Sequence, residues 1–273
     1  MEKHGSGNLQ QWEAILRWHQ HYEVDDILST HVQDFMQPPA TPIQVPQVNR
    51  EHKQDSQPSN PEQDIKTQPS KLHLRDCDSL GALARYMEQI PCGLKHPGNN
   101  FVFADGHPDA DLMVIGEAPG EQENREQKPF VGRSGLLLDQ MLAAIGRSRH
   151  EPDPKKAVYI TNVVPWRPPG NRKPSTVETE LFRESVFRHI ALQSPKCILA
   201  MGGSAATVLL NVSTGITRLR GNLRMMQFDG HHVGVIATFH PAYLLRNPLA
   251  KREAYADLRT TQKHLATDNT IAP

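Results

Sequence analysis

The apolar run Leu112-Met113-Val114-Ile115 feeds directly into Gly116-Glu117-Ala118-Pro119-Gly120. A buried strand that ends in a rigid turn is how α/β proteins present backbone amides and a carboxylate at the carboxyl edge of a sheet. Three further runs repeat the pattern. Val158–Val164 contains Asn162 and stops at Pro165, Cys197–Met201 meets Gly202-Gly203-Ser204, and Val233–Thr238 ends just before His240. Helical spacing separates them: Leu80, Leu83, Ala84 and Met87; Gly135–Ile145; Thr176–Leu192, capped by Ser175 or Thr176; and Ala205–Leu210. Short apolar strands alternating with helices predict a three-layer α/β/α sandwich around a mostly parallel, four-stranded central sheet. Ligands of such folds bind beyond the strand ends, where the unusual residues of this chain collect.

The 273 residues suffice for one good core plus extra segments. Trp12, Ile15, Leu16, Trp18, Tyr22, Val24, Ile27 and Leu28 predict one amphipathic helix, or two short ones, within an N-terminal segment 1–36. That segment either docks on the main domain or offers a surface to a protein partner. Residues 37–70 are rich in Pro, Gln, Ser and Asn, almost free of aromatics, and are expected to form a disordered linker. A catalytic domain is expected over 71–265, with a short tail at 266–273. The formal net charge of zero hides an asymmetry. Residues 101–263 hold 21 Lys and Arg against 16 Asp and Glu, a surplus compatible with a polyanion and equally with a solvated surface. Three cysteines without paired spacing argue against a disulfide framework. No run is long enough to span a membrane, and no signal peptide is apparent, so a soluble cytoplasmic protein is expected; it is also expected to be a monomer.

Five segments carry the chemistry. The turn Gly116–Gly120 is followed by Pro129-Phe130-Val131-Gly132, then Thr161-Asn162, then Arg167-Pro168-Pro169-Gly170-Asn171-Arg172, then His240-Pro241-Ala242-Tyr243-Leu244-Leu245-Arg246. Together they suggest a pocket for a flat polar ring beside a phosphate-binding surface. An amide such as Asn162 offers such a ring one acceptor and one donor group. No GxxxxGK[ST] is present, which speaks against a nucleotide phosphate loop.

With Glu123 and Leu219-Arg220-Gly221, these segments resemble, in order and spacing, the family-4 uracil-DNA glycosylases from about residue 90 to about residue 260. The resemblance implies a DNA repair enzyme that flips uracil out of DNA and hydrolyses its N-glycosidic bond. It places Glu117 beside the base and the attacking water, although Glu117 alternatively only caps the turn. The amides of Glu117 and Ala118 would hold a uracil oxygen. Phe130 becomes the shelf on which the base stacks. Asn162 reads the base edge, and His240 donates to uracil O2 as negative charge develops there. Glu123 is a second family acid or a solvated loop charge. Arg167, Arg172, Lys173, Arg220, Arg246 and Lys251 are candidate phosphate contacts. Tyr243, Leu244 and Leu245 either form the wedge that replaces the flipped base or start the final helix.

The chain also departs from that family. Its members commonly hold a [4Fe-4S] cluster on four cysteines. Here Cys92 keeps one such position, while Gln89, Trp166 and Phe182 stand at the other three, so no cluster and no other cofactor are expected. Ala118 stands where better-known relatives have an aspartate. Asn124 replaces a common Asp, Gln127 a common Gly, and Ser148–Lys156 reads as a longer charged surface loop. The partner expected is uracil-containing DNA. The competing expectation is a superfamily member that binds DNA with little or no catalysis.

Overall fold

A computed structural model describes residues 73–267. The N-terminal segment, the linker and most of the tail anticipated above lie outside the described residues. The elements begin with helix α1 (Leu80–Gln89), edge strand β1 (Ala104–Gly106) and strand β2 (Leu112–Gly116). Helices α2 (Glu121–Glu126) and α3 (Arg133–Ala143) lead to β3 (Val158–Asn162), followed by α4 (Thr176–Gln193) and β4 (Cys197–Met201). Then come α5 (Gly203–Leu210), α6 (Ile216–Leu219), β5 (Leu223–Phe228), β6 (His231–Thr238), α7 (Pro241–Arg246) and α8 (Lys251–Ala266).

The described residues form one six-stranded sheet in the order β1-β3-β2-β4-β6-β5. The four expected strands are its parallel centre, β3-β2-β4-β6. The two strands not expected are antiparallel edges, β1 against β3 and β5 against β6. Every residue of β2, β3 and β4 is buried, as a parallel sheet covered on both faces requires. Pleating sends alternate side chains to opposite faces. Met113, Ile115, Ile198, Ala200, Val235 and Ala237 join Leu83 and Met87 of α1 and Phe182, Val186 and Ile190 of α4 in one apolar cluster. Helix α3 contacts both α7 and α8, and α8 also lies against β4 and β6.

Local chemistry sets the helix ends. Ser175 caps α4 by accepting from the Glu178 N–H, and Glu178 reaches back to the Ser175 N–H, a complete capping box. Among the described residues no helix is long and apolar enough to cross a membrane.

A polar pair lies on the cluster side of the sheet. Tyr159 Oη and His189 Nε2 lie 2.9 Å apart, and the His189 ring stacks on Phe103 at 4.5 Å. Full burial pushes the His189 pKa from 6.5 down to about 3. The unfolded chain therefore binds a proton there that the folded chain refuses. Stability should fall as pH drops from about 6.5 toward 3, by up to about 1.4 kcal/mol per pH unit from this residue. Urea unfolding across that range should show the loss in the parent and a shallower one in His189→Gln.

Candidate active site

A cavity of about 680 Å³ opens at the carboxyl ends of the central strands. Glu117 and Ala118 enter it from the turn after β2, Asn162 from the end of β3, Gly202 and Gly203 from the turn after β4, and His240 from the segment after β6. Phe130, between α2 and α3, forms another wall. The five residues expected to hold the base thus share one cavity, although three strands separate Asn162 and His240 in sequence.

Asn162 is only 3% exposed, and its Oδ1 has no hydrogen-bond partner among the described residues. An unpaired buried acceptor costs about 1–3 kcal/mol, so this atom is poised to receive a donor from a ligand. The Phe130 ring and the Asn162 amide both close over the backbone of Gly116. A Cβ at Gly116 would strike the ring and Oδ1 together. The requirement for glycine there is one of space.

Phe130 is buried and adopts φ +53, the left-handed region, at a cost of about 1–3 kcal/mol for a non-glycine residue. Its ring lies 5.5 Å from the His240 ring at an interplanar angle of 29°. Glu123 holds the loop in place. One carboxylate oxygen accepts from the N–H groups of Val131 and Gly132 at 3.1 and 2.9 Å, and the other from Gly120 at 3.1 Å. It is not a solvated loop charge, because both oxygens are bonded to backbone N–H groups, and it also lines the cavity. Arg149, which sequence reasoning missed, donates to the Pro129 and Phe130 carbonyls. The loop Ser148–Lys156 is therefore not simply a charged surface loop, because Arg149 is buried. The two smaller departures also have physical readings. Asn124 accepts from the Asn100 N–H and donates to the Gly98 carbonyl, which an ionised Asp could not do. Gln127 ends α2 at φ +55, where glycine is unstrained.

His240 is the N-cap of α7. Its Nδ1 accepts from the Ala242 N–H at 3.1 Å, so the neutral ring carries its proton on Nε2. Burial lowers its pKa below 6.5, and Glu117 opposes that shift without reversing it. Glu117 Oε1 accepts from the Ser204 N–H at 3.2 Å, near the start of α5. Gly202, at φ +91, leaves room between Glu117 and His240, since a Cβ there would lie 2.9 Å from Glu117 Oε1 and 3.2 Å from His240 Cβ.

Lys173 and Arg246 are exposed on the cavity rim. Arg172 also lines it while pairing with Glu178 through both carboxylate oxygens at 2.6 and 2.8 Å. Arg167 bonds Asn171 Oδ1 at 2.7 Å and approaches Glu121 at 3.5 Å. Three residues expected to contact DNA are paired or buried within the fold. Arg220 is bound inward, to Asp257 at 2.6 and 3.1 Å and to Glu253 at 3.0 Å, and lies 5.3 Å from the centre of the Phe239 ring. Leu244 is fully buried, because one turn of α7 cannot expose three consecutive side chains; Tyr243 is its exposed neighbour. Lys251 is buried at the start of α8.

A model of the uracil DNA glycosylase superfamily matches residues 103–259. The chain belongs to that superfamily. It is 36% identical over 187 residues to the type-4 uracil-DNA glycosylase of Archaeoglobus fulgidus, covering 67% of this chain and 91% of that protein. The Thermotoga maritima type-4 uracil-DNA glycosylase is 38% identical over 157 residues, 57% of this chain and 77% of that protein. The Sulfurisphaera tokodaii type-4 uracil-DNA glycosylase is 35% identical over 189 residues, 66% of this chain and 83% of that protein.

Within the superfamily, the donor set for a four-thiolate cluster can be tested on this chain. Cys92 is half-buried and Gln89 is exposed at the end of α1, while Trp166 and Phe182 are buried in the apolar cluster. Among the described residues no group of three or more His, Cys, Asp or Glu is placed to hold a metal ion. One thiolate and two buried aromatic rings do not fit that ligation.

The inward pairing of Arg220 is testable. Arg220→Met should destabilise the fold by about 3 kcal/mol, the lower end for opening a buried ion pair. Affinity for DNA and its salt dependence, measured by fluorescence anisotropy, should stay unchanged. A flattened salt slope would return Arg220 to the phosphate surface.

Proposed function

We propose that this glycosylase-superfamily member excises uracil from DNA by hydrolysis of the N-glycosidic bond, leaving an abasic site. The observation that carries the reading is the unpaired Oδ1 of buried Asn162 beside the Phe130 ring. A uracil edge supplies N3–H to that oxygen and O4 to the Asn162 amide nitrogen. Cytosine presents the opposite pattern and leaves both groups unpaired, which is how buried polar contacts generate large discrimination. The names of the type-4 relatives support the same substrate.

The extruded base stacks on Phe130, worth about 1–3 kcal/mol. As the bond from C1′ to N1 breaks, its electron pair goes to uracil and positive charge develops on the sugar. The Nε2–H of neutral His240 donates to uracil O2, and the carboxylate of Glu117 faces the cationic sugar and orients a water. The water oxygen bonds to C1′, its proton passes to the Glu117 carboxylate, and that proton finally neutralises the departed uracil anion, so that the products are an abasic sugar and neutral uracil. Water, and not a lysine amine, takes the sugar carbon, so the enzyme is monofunctional and leaves the strand uncut. Lys173, Arg246, Arg167 and Arg172 take phosphates, and Tyr243 serves in the wedge. The chain works as a monomer with its catalytic unit over 71–265 and without an iron–sulfur cluster.

Incubation with a uracil-containing oligonucleotide should produce alkali-labile sites. Asn162→Asp and His240→Ala should each lower excision by about 10²–10³-fold while DNA affinity is retained. Binding without excision in the parent chain would instead identify a DNA-binding member that has lost catalysis. Because the neutral imidazole is the donor and burial lowers its pKa, the acid limb of kcat/KM should lie below pH 6.5, the ordinary histidine value. Anaerobically purified protein should carry no stoichiometric iron or acid-labile sulfide.

A further inference from the structure

The loop between α3 and β3 contributes a guanidinium to the underside of the aromatic wall. We infer that Arg149 is a positioning residue for the Phe130 shelf, an inference that rests on the reading of Phe130 as the surface on which the base stacks. The Arg149 side chain is 4% exposed. Its Nε donates to Asp139 Oδ1 of α3 at 2.8 Å. Nη1 donates to Asp105 Oδ2 of β1 at 3.1 Å and to the Pro129 carbonyl at 3.0 Å. Nη2 donates to the Phe130 carbonyl at 2.9 Å and lies 2.7 Å from Asp139 Oδ1. Four of the five N–H groups of the guanidinium are thus hydrogen-bonded, and Nη2 also lies in ion-pair range of Asp139.

The arrangement brackets the shelf. Arg149 takes the carbonyls of Pro129 and Phe130, and Glu123 takes the N–H groups of the next two residues, Val131 and Gly132. Gly135 presses on the same Phe130 carbonyl so closely that a Cβ there would collide with it. Phe130 has positive φ, which a phenylalanine abandons unless its surroundings enforce it. Loss of the carbonyl anchors lets the peptide relax and turns the ring away from Asn162. A lysine supplies charge to Asp105 and Asp139 but not the planar fork that reaches both carbonyls at once.

The test uses the full chain carrying Arg149→Met or Arg149→Lys. Four quantities are measured: uracil release from DNA, inhibition by free uracil, affinity for abasic-site DNA and thermal unfolding. Both variants should release uracil about ten- to a hundredfold more slowly in kcat/KM, the range for a misplaced contact group. Inhibition by free uracil should weaken in parallel, while folded protein binds abasic DNA as the parent does, since that ligand has no base to stack. Arg149→Lys should recover thermal stability without recovering inhibition by uracil. Equal losses in uracil and abasic DNA binding, or full recovery of uracil inhibition by lysine, would overturn the inference. Should Arg149→Met fail to fold, Asp139→Asn, which loosens the guanidinium without removing it, gives the same comparison. A parent chain that releases no uracil refutes the proposed function, whereas an active parent with unaltered variants refutes only the role of Arg149.

Discussion

The close approach of one aromatic ring and one amide to the backbone of Gly116 governs the geometry of the whole site. Both touch the space a Cβ would occupy. That contact fixes the ring and amide against the same strand end and so sets the distance between a stacking surface and a reading edge. Each partner has its own support. Asn162 is the last residue of a fully buried strand paired in register with β2, Gly116 opposite Asn162. Phe130 has no strand beneath it, and its position depends on charged side chains that grip the peptide groups around it. Rigidity that comes free with a central strand must be built residue by residue in a loop.

This difference explains what could be read from the sequence. The four parallel strands were legible because burial on both faces leaves uninterrupted apolar runs. The edge strands were not. Ala104-Asp105-Gly106 contains no large apolar residue, and most side chains of Leu223–Phe228 are exposed. Asp105 matters through Arg149, 44 positions away, and no local pattern announces that pairing. Arg220 misled for the same reason: an arginine in a matched motif reads as a phosphate contact until Asp257, far along the chain, is found beside it. Leu244 misled because a run of apolar residues after a proline does not say which of them a single helical turn buries.

The segment around Cys92 poses a related problem of long-range joining. In this structure protein contacts connect it to the Arg167 loop. Asn99 donates to the carbonyls of both Leu94 and Arg167 at 2.7 and 2.9 Å. The Phe101 ring tilts against Trp166 at 5.5 Å, and Lys95 Nζ lies 5.3 Å from the centre of that indole. Trp166 and Phe182 thus contribute burial to the joint at positions where the family resemblance implies thiolates. Residues so distant in sequence pay a loop-closure cost to meet, and apolar area removed from water is the term available to offset it.

The charges at the cavity floor show how the proposed chemistry follows from packing. Glu117 lies close to His240, and a carboxylate alone would favour the imidazolium. Desolvation outweighs it, so the imidazole proton affinity falls. The carboxylate is also directed elsewhere, because it accepts from Ser204 near the start of α5, where the aligned peptide dipoles favour an anion. A neutral ring with Nδ1 occupied by the Ala242 amide has one proton to offer, on Nε2. A donor of that kind binds a neutral carbonyl modestly and a developing anion strongly, so its contribution grows along the reaction coordinate rather than being spent on the ground state. An imidazolium would attract the DNA phosphates before any bond had broken. The burial that keeps His240 uncharged is therefore part of how the site would distinguish a departing base from the backbone that carries it.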